Sequence, residues 1–127
     1  MSYPAEYRYT KDHEWLKIEG NRARIGITDH AQEELGDIVF VELPTVGSAF
    51  GESDNLATVE SVKAVGEVHA PFSGKVIEVN GDLESSPETV NQSAHEAGWL
   101  ADIEADAPID AAAFLDAAGY EAFLSEG

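Results

Sequence analysis

Leu56-Ala57-Thr58-Val59-Glu60-Ser61-Val62-Lys63-Ala64-Val65-Gly66-Glu67-Val68 is the stretch on which the fold turns. A run rich in β-branched residues leads in, a small-residue turn follows, and an alternating run leads out through Val65, Glu67 and His69. That pattern predicts a β-hairpin with Lys63 at its tip. A polar turn residue is ordinarily just solvated. Here the neighbours Ser61, Ala64 and Gly66 are small, so a primary amine on a flexible stem is free to carry an attached group clear of the fold. Val62 and Val65 are expected to anchor the turn. The chain has only four lysines (Lys11, Lys17, Lys63 and Lys75), so the choice of amine is narrow.

Outward from the hairpin, short strands and turns alternate. Tyr7 to Trp15 reads as an extended arm. Trp15 to Glu19 and Ala23 to Ile27 read as strands joined at Gly20-Asn21. Thr28 or Asp29 caps a short helix that Gly36 ends, with Gln32 in capping-box position relative to Asp29. Ile38 to Leu43 is expected as a buried strand stopped by Pro44. Pro71 to Gly74 turns into a strand over Lys75 to Asn80, and Gly98 to Glu104 closes the series. A helical turn is expected over Ser85 to Val90. Phe50-Gly51-Glu52 and Phe72-Ser73-Gly74-Lys75-Val76 form a faint internal echo. From Pro108 apolar residues recur at helical spacing; Gly119 is expected to interrupt them, and Tyr120, Phe123 and Leu124 to dock as a second stripe. Many short strands with Gly/Pro punctuation predict a mainly β sandwich or flattened barrel. No linker divides the chain, so residues 1–127 are read as one domain, core about 7–105 and C-terminal helical segment about 106–125.

The chain has 127 residues, 43% of them hydrophobic, enough for a core of its own. It has no cysteine, so thiol chemistry must arrive on an attached group. Met1-Ser2-Tyr3-Pro4-Ala5-Glu6 lacks signal- or transit-peptide character and no apolar run would span a bilayer, so a cytoplasmic location is expected. Twenty-five acids against seven bases give a net charge of −18, which disfavours nucleic acid and anionic membrane as partners. That charge suits either a well-solvated protein that meets several others or a protein adapted to high salt.

Self-contained catalysis fails on inventory. His13, His30, His69 and His95 include no pair at metal-ligand spacing, so no metal is expected. There is no Gly-rich phosphate loop before a helix and no Gly-x-Ser-x-Gly elbow. No catalytic residue is assigned.

A series of blocks carries a family resemblance: Tyr9-Thr10-Lys11-Asp12-His13-Glu14-Trp15, Gly26-Ile27-Thr28-Asp29-His30-Ala31-Gln32, Leu35 to Pro44, Glu60-Ser61-Val62-Lys63-Ala64, Pro71 to Asn80 and Gly98-Trp99-Leu100. In order and spacing the chain resembles the glycine cleavage H-proteins over roughly residues 7 to 124. The resemblance implies a lipoyl/biotinyl-type barrel-sandwich, a non-enzymatic carrier, and lipoate bound covalently to Lys63. It implies P-protein (the pyridoxal-phosphate-dependent glycine decarboxylase), T-protein (aminomethyltransferase), L-protein (dihydrolipoyl dehydrogenase) and lipoate-attaching enzymes as partners of a monomer. It also implies a cleft in which Glu14 and Glu67 contact the aminomethyl-loaded arm; Glu67 stands where the family more often has Asp. Biotinyl domains usually flank their lysine with methionines, and the only methionine here is Met1. Lipoyl domains of 2-oxoacid dehydrogenases usually have Asp before the lysine, where this chain has Val62. A lipoate relay to other proteins and a non-lipoylated interaction module are the remaining readings.

Overall fold

The computed structural model describes residues 3–126, without the side chain of residue 126. Met1, Ser2 and Gly127, the ends of the span read as one domain, lie outside the described residues.

Strands β1 (Arg8–Tyr9), β2 (Glu14–Glu19) and β3 (Arg22–Ile27) form an antiparallel meander, with Gly20 at φ 64 in the tight turn between the last two. Trp15 pairs with Gly26 across β2 and β3. A Cβ at Gly26 would lie 2.6 Å from the indole, so only glycine lets the fully buried ring lie on the neighbouring strand. Helix α1 (Asp29–Leu35) follows. Thr28 is its cap, its hydroxyl accepting from Ala31 N–H at 3.2 Å. Asp29 is the first helical residue, and Gln32 donates to its carboxylate at 2.7 Å instead of completing a capping box. Gly36 ends the helix at φ 89, ψ −158, a region open essentially to glycine alone.

Strand β4 (Ile38–Glu42) is not the buried strand expected. A bulge between Ile38 and Phe40 shifts the alternation and leaves Val39 and Phe40 about half exposed. Strands β5 (Ala49–Phe50), β6 (Asn55–Ser61), β7 (Val65–His69), β8 (Gly74–Val79) and β9 (Ala101–Ala105) complete the sheets. One sheet runs β1-β2-β3-β9-β8-β5 and the other β4-β6-β7, all pairings antiparallel. The echo segments meet: Phe50 pairs with Gly74, and the Phe50 and Phe72 rings stand 6.4 Å apart.

Ile25, Val41, Val59, Val68, Val76 and Ile103 from the two sheets make one buried cluster, into which Leu83 and Val90 also pack. Those two residues come from short helices α2 (Asp82–Ser85) and α3 (Thr89–Gln92), which stand where a single helical turn was expected. The architecture is the mainly β flattened sandwich expected from the sequence.

The tail departs from the periodic reading. After β9 only Ala111–Ala113 forms a 3-10 turn, and Leu115 bridges to Tyr9 before helix α4 (Ala117–Glu126). Gly119 lies inside the first turn of α4 and does not break it. Tyr120 docks as expected: fully buried, stacked on Tyr9 with ring centres 4.9 Å apart. Its hydroxyl meets Thr28 Oγ1 at 2.8 Å and His13 Nδ1 at 2.7 Å. Burial raises the Tyr120 pKa to about 12, so it remains a neutral bridge from α4 to the cap of α1.

Candidate functional site

Lys63 occupies the turn between β6 and β7 and is exposed. Val62 and Val65 do not anchor that turn; they are 70% and 57% exposed. Ser61 anchors it. Its hydroxyl accepts from Lys63 N–H at 3.2 Å and Ala64 N–H at 2.9 Å, and it lies 3.1 Å from the Ala64 carbonyl, to which it donates. Val62 N–H donates to the Asp37 carbonyl at 3.1 Å, fixing the tip to the start of β4. A small hydroxyl residue before the lysine is therefore a structural demand of the hairpin, not only an absence of bulk.

The lysine stem lies against the end of α1. Its Cε is 3.2 Å from where a Cβ on Gly36 would stand. Lys63 then shares a shallow groove with His30, Glu33 and Glu34. His30 and Glu34 also line a deeper cleft of about 330 Å³. The cleft has an apolar floor that includes Ile27, Leu35, Val59 and Val68, and its acids are Asp12, Glu14, Glu34 and Glu67. Gly66 keeps it open, since a Cβ there would meet Leu35 at 3.1 Å. A larger cavity of about 470 Å³ has no hairpin residue in its wall. Its charges are already matched: Arg24 binds Asp102 through two nitrogens at 2.8 and 3.1 Å. The smaller cleft, which shares His30 and Glu34 with the groove beside Lys63, is the better candidate.

Both expected carboxylates reach that cleft, in different states. Glu14, at the start of β2, is 2% exposed. Its Oε1 accepts from Thr10 Oγ1 at 3.1 Å and its Oε2 from His69 N–H at 2.7 Å. Burial raises its pKa to about 7, with a further push from Asp12, against the pull of those two hydrogen bonds. Glu67 is an exposed rim group, 3.7 Å from His69 Nε2.

Sequence spacing missed several neighbours. His13 and His30 stand with ring centres 4.7 Å apart in the cleft wall, and burial, aided by His30, lowers the His13 pKa. Glu34 lies 3.3 Å from His30 Nε2. Ligand atoms of Asp12, Glu14 and His69 lie within 4.8 Å of one another, a grouping hidden by their separation along the chain. β2 and β7 belong to different sheets, and the hydrogen bond from His69 N–H to Glu14 Oε2 joins them where Asp12, Glu14 and His69 meet.

Residues 7–127 match the family described as Glycine cleavage H-protein. The chain belongs to the glycine cleavage H-protein family. It is 52% identical over 126 residues to the glycine cleavage system H protein of Oceanobacillus iheyensis, covering 99% of this chain and 100% of that one. Identity to the protein of that name from Anaeromyxobacter sp. (strain K) is 49% over 126 residues, covering 99% and 98%. The crystal structure of a glycine cleavage system H protein from Mycobacterium marinum superposes with TM-score 0.88 at 36% identity, covering 97% of this chain and 99% of that one. The family places the chain as a lipoyl carrier of the glycine cleavage system, a non-catalytic component with lipoate attached to a lysine, working with the other components of that system. Among the described residues, no helix is long and apolar enough to cross a membrane.

Proposed function

We propose that Lys63 is the lysine that bears the lipoyl group, within one carrier domain spanning residues 1–127. The observation that carries this reading is continuity: an exposed hairpin-tip amine enters a groove that shares His30 and Glu34 with the Glu14 cleft. The other lysines are placed differently. Lys17 lies within β2, Lys75 within β8 beside Glu104, and Lys11 packs over Phe123.

Attached to Lys63, a lipoyl group would supply the disulfide chemistry that carries the one-carbon unit and its electrons between P-protein, T-protein and L-protein. Residues of this chain do the rest. Ser61 and Gly36 hold the amine at the tip. The apolar floor would exclude water from the seated arm and from the aminomethyl group it carries. Glu14, with Glu67 at the rim, offers negative charge to its ammonium. A cation arriving beside a carboxyl of pKa about 7 draws it into the ionised form, so loading at neutral pH releases part of a proton. Tethering keeps the reactive group at high effective concentration beside each docked enzyme. The carrier works as a monomer in the cytoplasm, and lipoate-attaching enzymes load it.

Glycine–bicarbonate exchange by P-protein tests the reading. Exchange is expected with the lipoylated chain and none above background with Lys63→Arg. Full lipoylation without exchange would instead favour relay of lipoate to other proteins.

A further inference from the structure

Large apolar side chains stand exposed at five described positions, Val39, Phe40, Val46, Val62 and Val65, and four of these gather round Lys63. Register places Phe40 beside Glu60, and Glu60 beside Val65, in one row across β4, β6 and β7. Directly opposed residues in neighbouring strands project from the same face. Val39 sits in the bulge of β4, an edge strand, and Val62 is tied to the start of that strand through Asp37. Neither the hairpin turn nor the arm cleft uses these four side chains: Ser61 holds the turn, and the cleft is walled by α1 and the buried sides of β6 and β7.

Charge around this end has one sign. Glu33, Glu34, Asp37, Glu42, Glu60 and Glu67 lie on the end of α1, on β4 and on the β6–β7 hairpin or between them, and Lys63 is the single Lys or Arg of those segments. Asp37, Glu42 and Glu60 are all exposed there. The end therefore presents apolar side chains set among acids, with Glu60 between Phe40 and Val65, and its complement is an apolar floor that also carries Arg or Lys.

We propose that Val39, Phe40, Val62 and Val65, with the acids among and around them, form the docking surface for the enzyme that attaches lipoate to Lys63. This rests on Lys63 being the lipoylated residue. Reach selects the occupant. An enzyme acting on the bare amine works at the end of a four-carbon stem, so its active-site mouth has to cover the tip. Enzymes that act on the finished lipoyl arm work at the far end of a much longer chain and stand further off. In the attachment step the deprotonated Lys63 Nζ attacks the carbonyl carbon of an activated lipoyl group, an acyl adenylate or acyl thioester. The amide C–N bond forms, the bond to the leaving group breaks with its electron pair, and the amine proton passes to base. No electrons are exchanged.

The test uses the unmodified full chain with a lipoate–protein ligase, lipoate and ATP, read by mass. Phe40→Ser/Val65→Ser is expected to lower kcat/KM for attachment by about tenfold, the effect of losing one well-packed contact. Val46→Ser, an equally exposed apolar change away from the tip, is expected to stay within about twofold of wild type. Val62→Ser, at the most exposed of the four, repeats the test should the double variant melt early. Driven to full lipoylation with excess ligase, Phe40→Ser/Val65→Ser is expected to keep P-protein exchange within about twofold. Unchanged attachment in the double variant and in Val62→Ser overturns the proposal. So does an equal loss of attachment and exchange, which would mark a surface shared by all partners. A wild-type chain left unmodified at Lys63 overturns the underlying assignment and this proposal with it.

Discussion

Glu14 is the residue whose chemistry the fold changes most. Its carboxyl titrates at about 7 folded against 4.5 as a free group, because burial penalises the charged form. Below pH 4.5 it is protonated in both states and costs the fold nothing. Between 4.5 and 7 the folded chain holds a proton that the unfolded chain has lost, so stability falls as pH rises. Above 7 the loss is complete, at about 3 kcal/mol for a shift of this size. Urea midpoints at pH 5 and pH 8 are therefore expected to drop steeply for wild type and much less for Glu14→Gln; parallel pH dependences would contradict this assignment. The same variant is expected to shorten the lifetime of the aminomethyl-loaded carrier, since Gln offers its ammonium no charge. A radiolabelled one-carbon unit, followed by release in the absence of T-protein, measures that lifetime. Nothing in the composition distinguishes Glu14 from the chain's 24 other acids. Its place beside His13 and Trp15 drew attention through family resemblance; its burial depends on His69, 55 positions away, and on contacts that spacing does not encode.

At the scale of elements, local chemistry was the most legible. The turn at Gly20-Asn21, the helix from Thr28 to Gly36 and the hairpin about Lys63 all follow from cap, turn and alternation signals that act within a few residues. What failed was parity and packing. One bulged residue in β4 turns Val39 and Phe40 outward, and a hydrophobic run carries no mark of it. Gly119 reads as a helix breaker, yet α4 is held by Tyr120 against Tyr9, Thr28 and His13, and that docking outweighs a propensity cost of about 1 kcal/mol. Gly36 links two elements and gives a sharp test. Its backbone conformation excludes other residues, and an added Cβ would crowd the Lys63 stem. Gly36→Ala is expected to cost about 1–3 kcal/mol of stability in chemical denaturation and to slow modification of Lys63. A variant of wild-type stability would show that α1 can end by another route.

For the whole molecule, charge dominates. A net −18 on 127 residues far exceeds the ~2–8 suggested for a small domain, and self-repulsion opposes the compact state. Ion pairs offset little of it: Arg22–Glu104 and Arg24–Asp102 lie on the six-stranded sheet, away from the acidic Lys63 end. Added salt screens such repulsion over about 10 Å at 0.1 M. Thermal midpoints are expected to rise clearly from low salt to molar KCl; a flat response would remove salt adaptation and leave solvation among several partners as the reason for the charge. The central claim, that this acidic sandwich exists to present one lipoylated amine, is tested most directly by intact mass with peptide mapping. The protein is made in cells that also modify a known lipoyl protein. One lipoyl-sized increment confined to the peptide containing Lys63 is the expected result. An unmodified Lys63 beside a fully modified control, or the increment on Lys11, Lys17 or Lys75, would contradict the account.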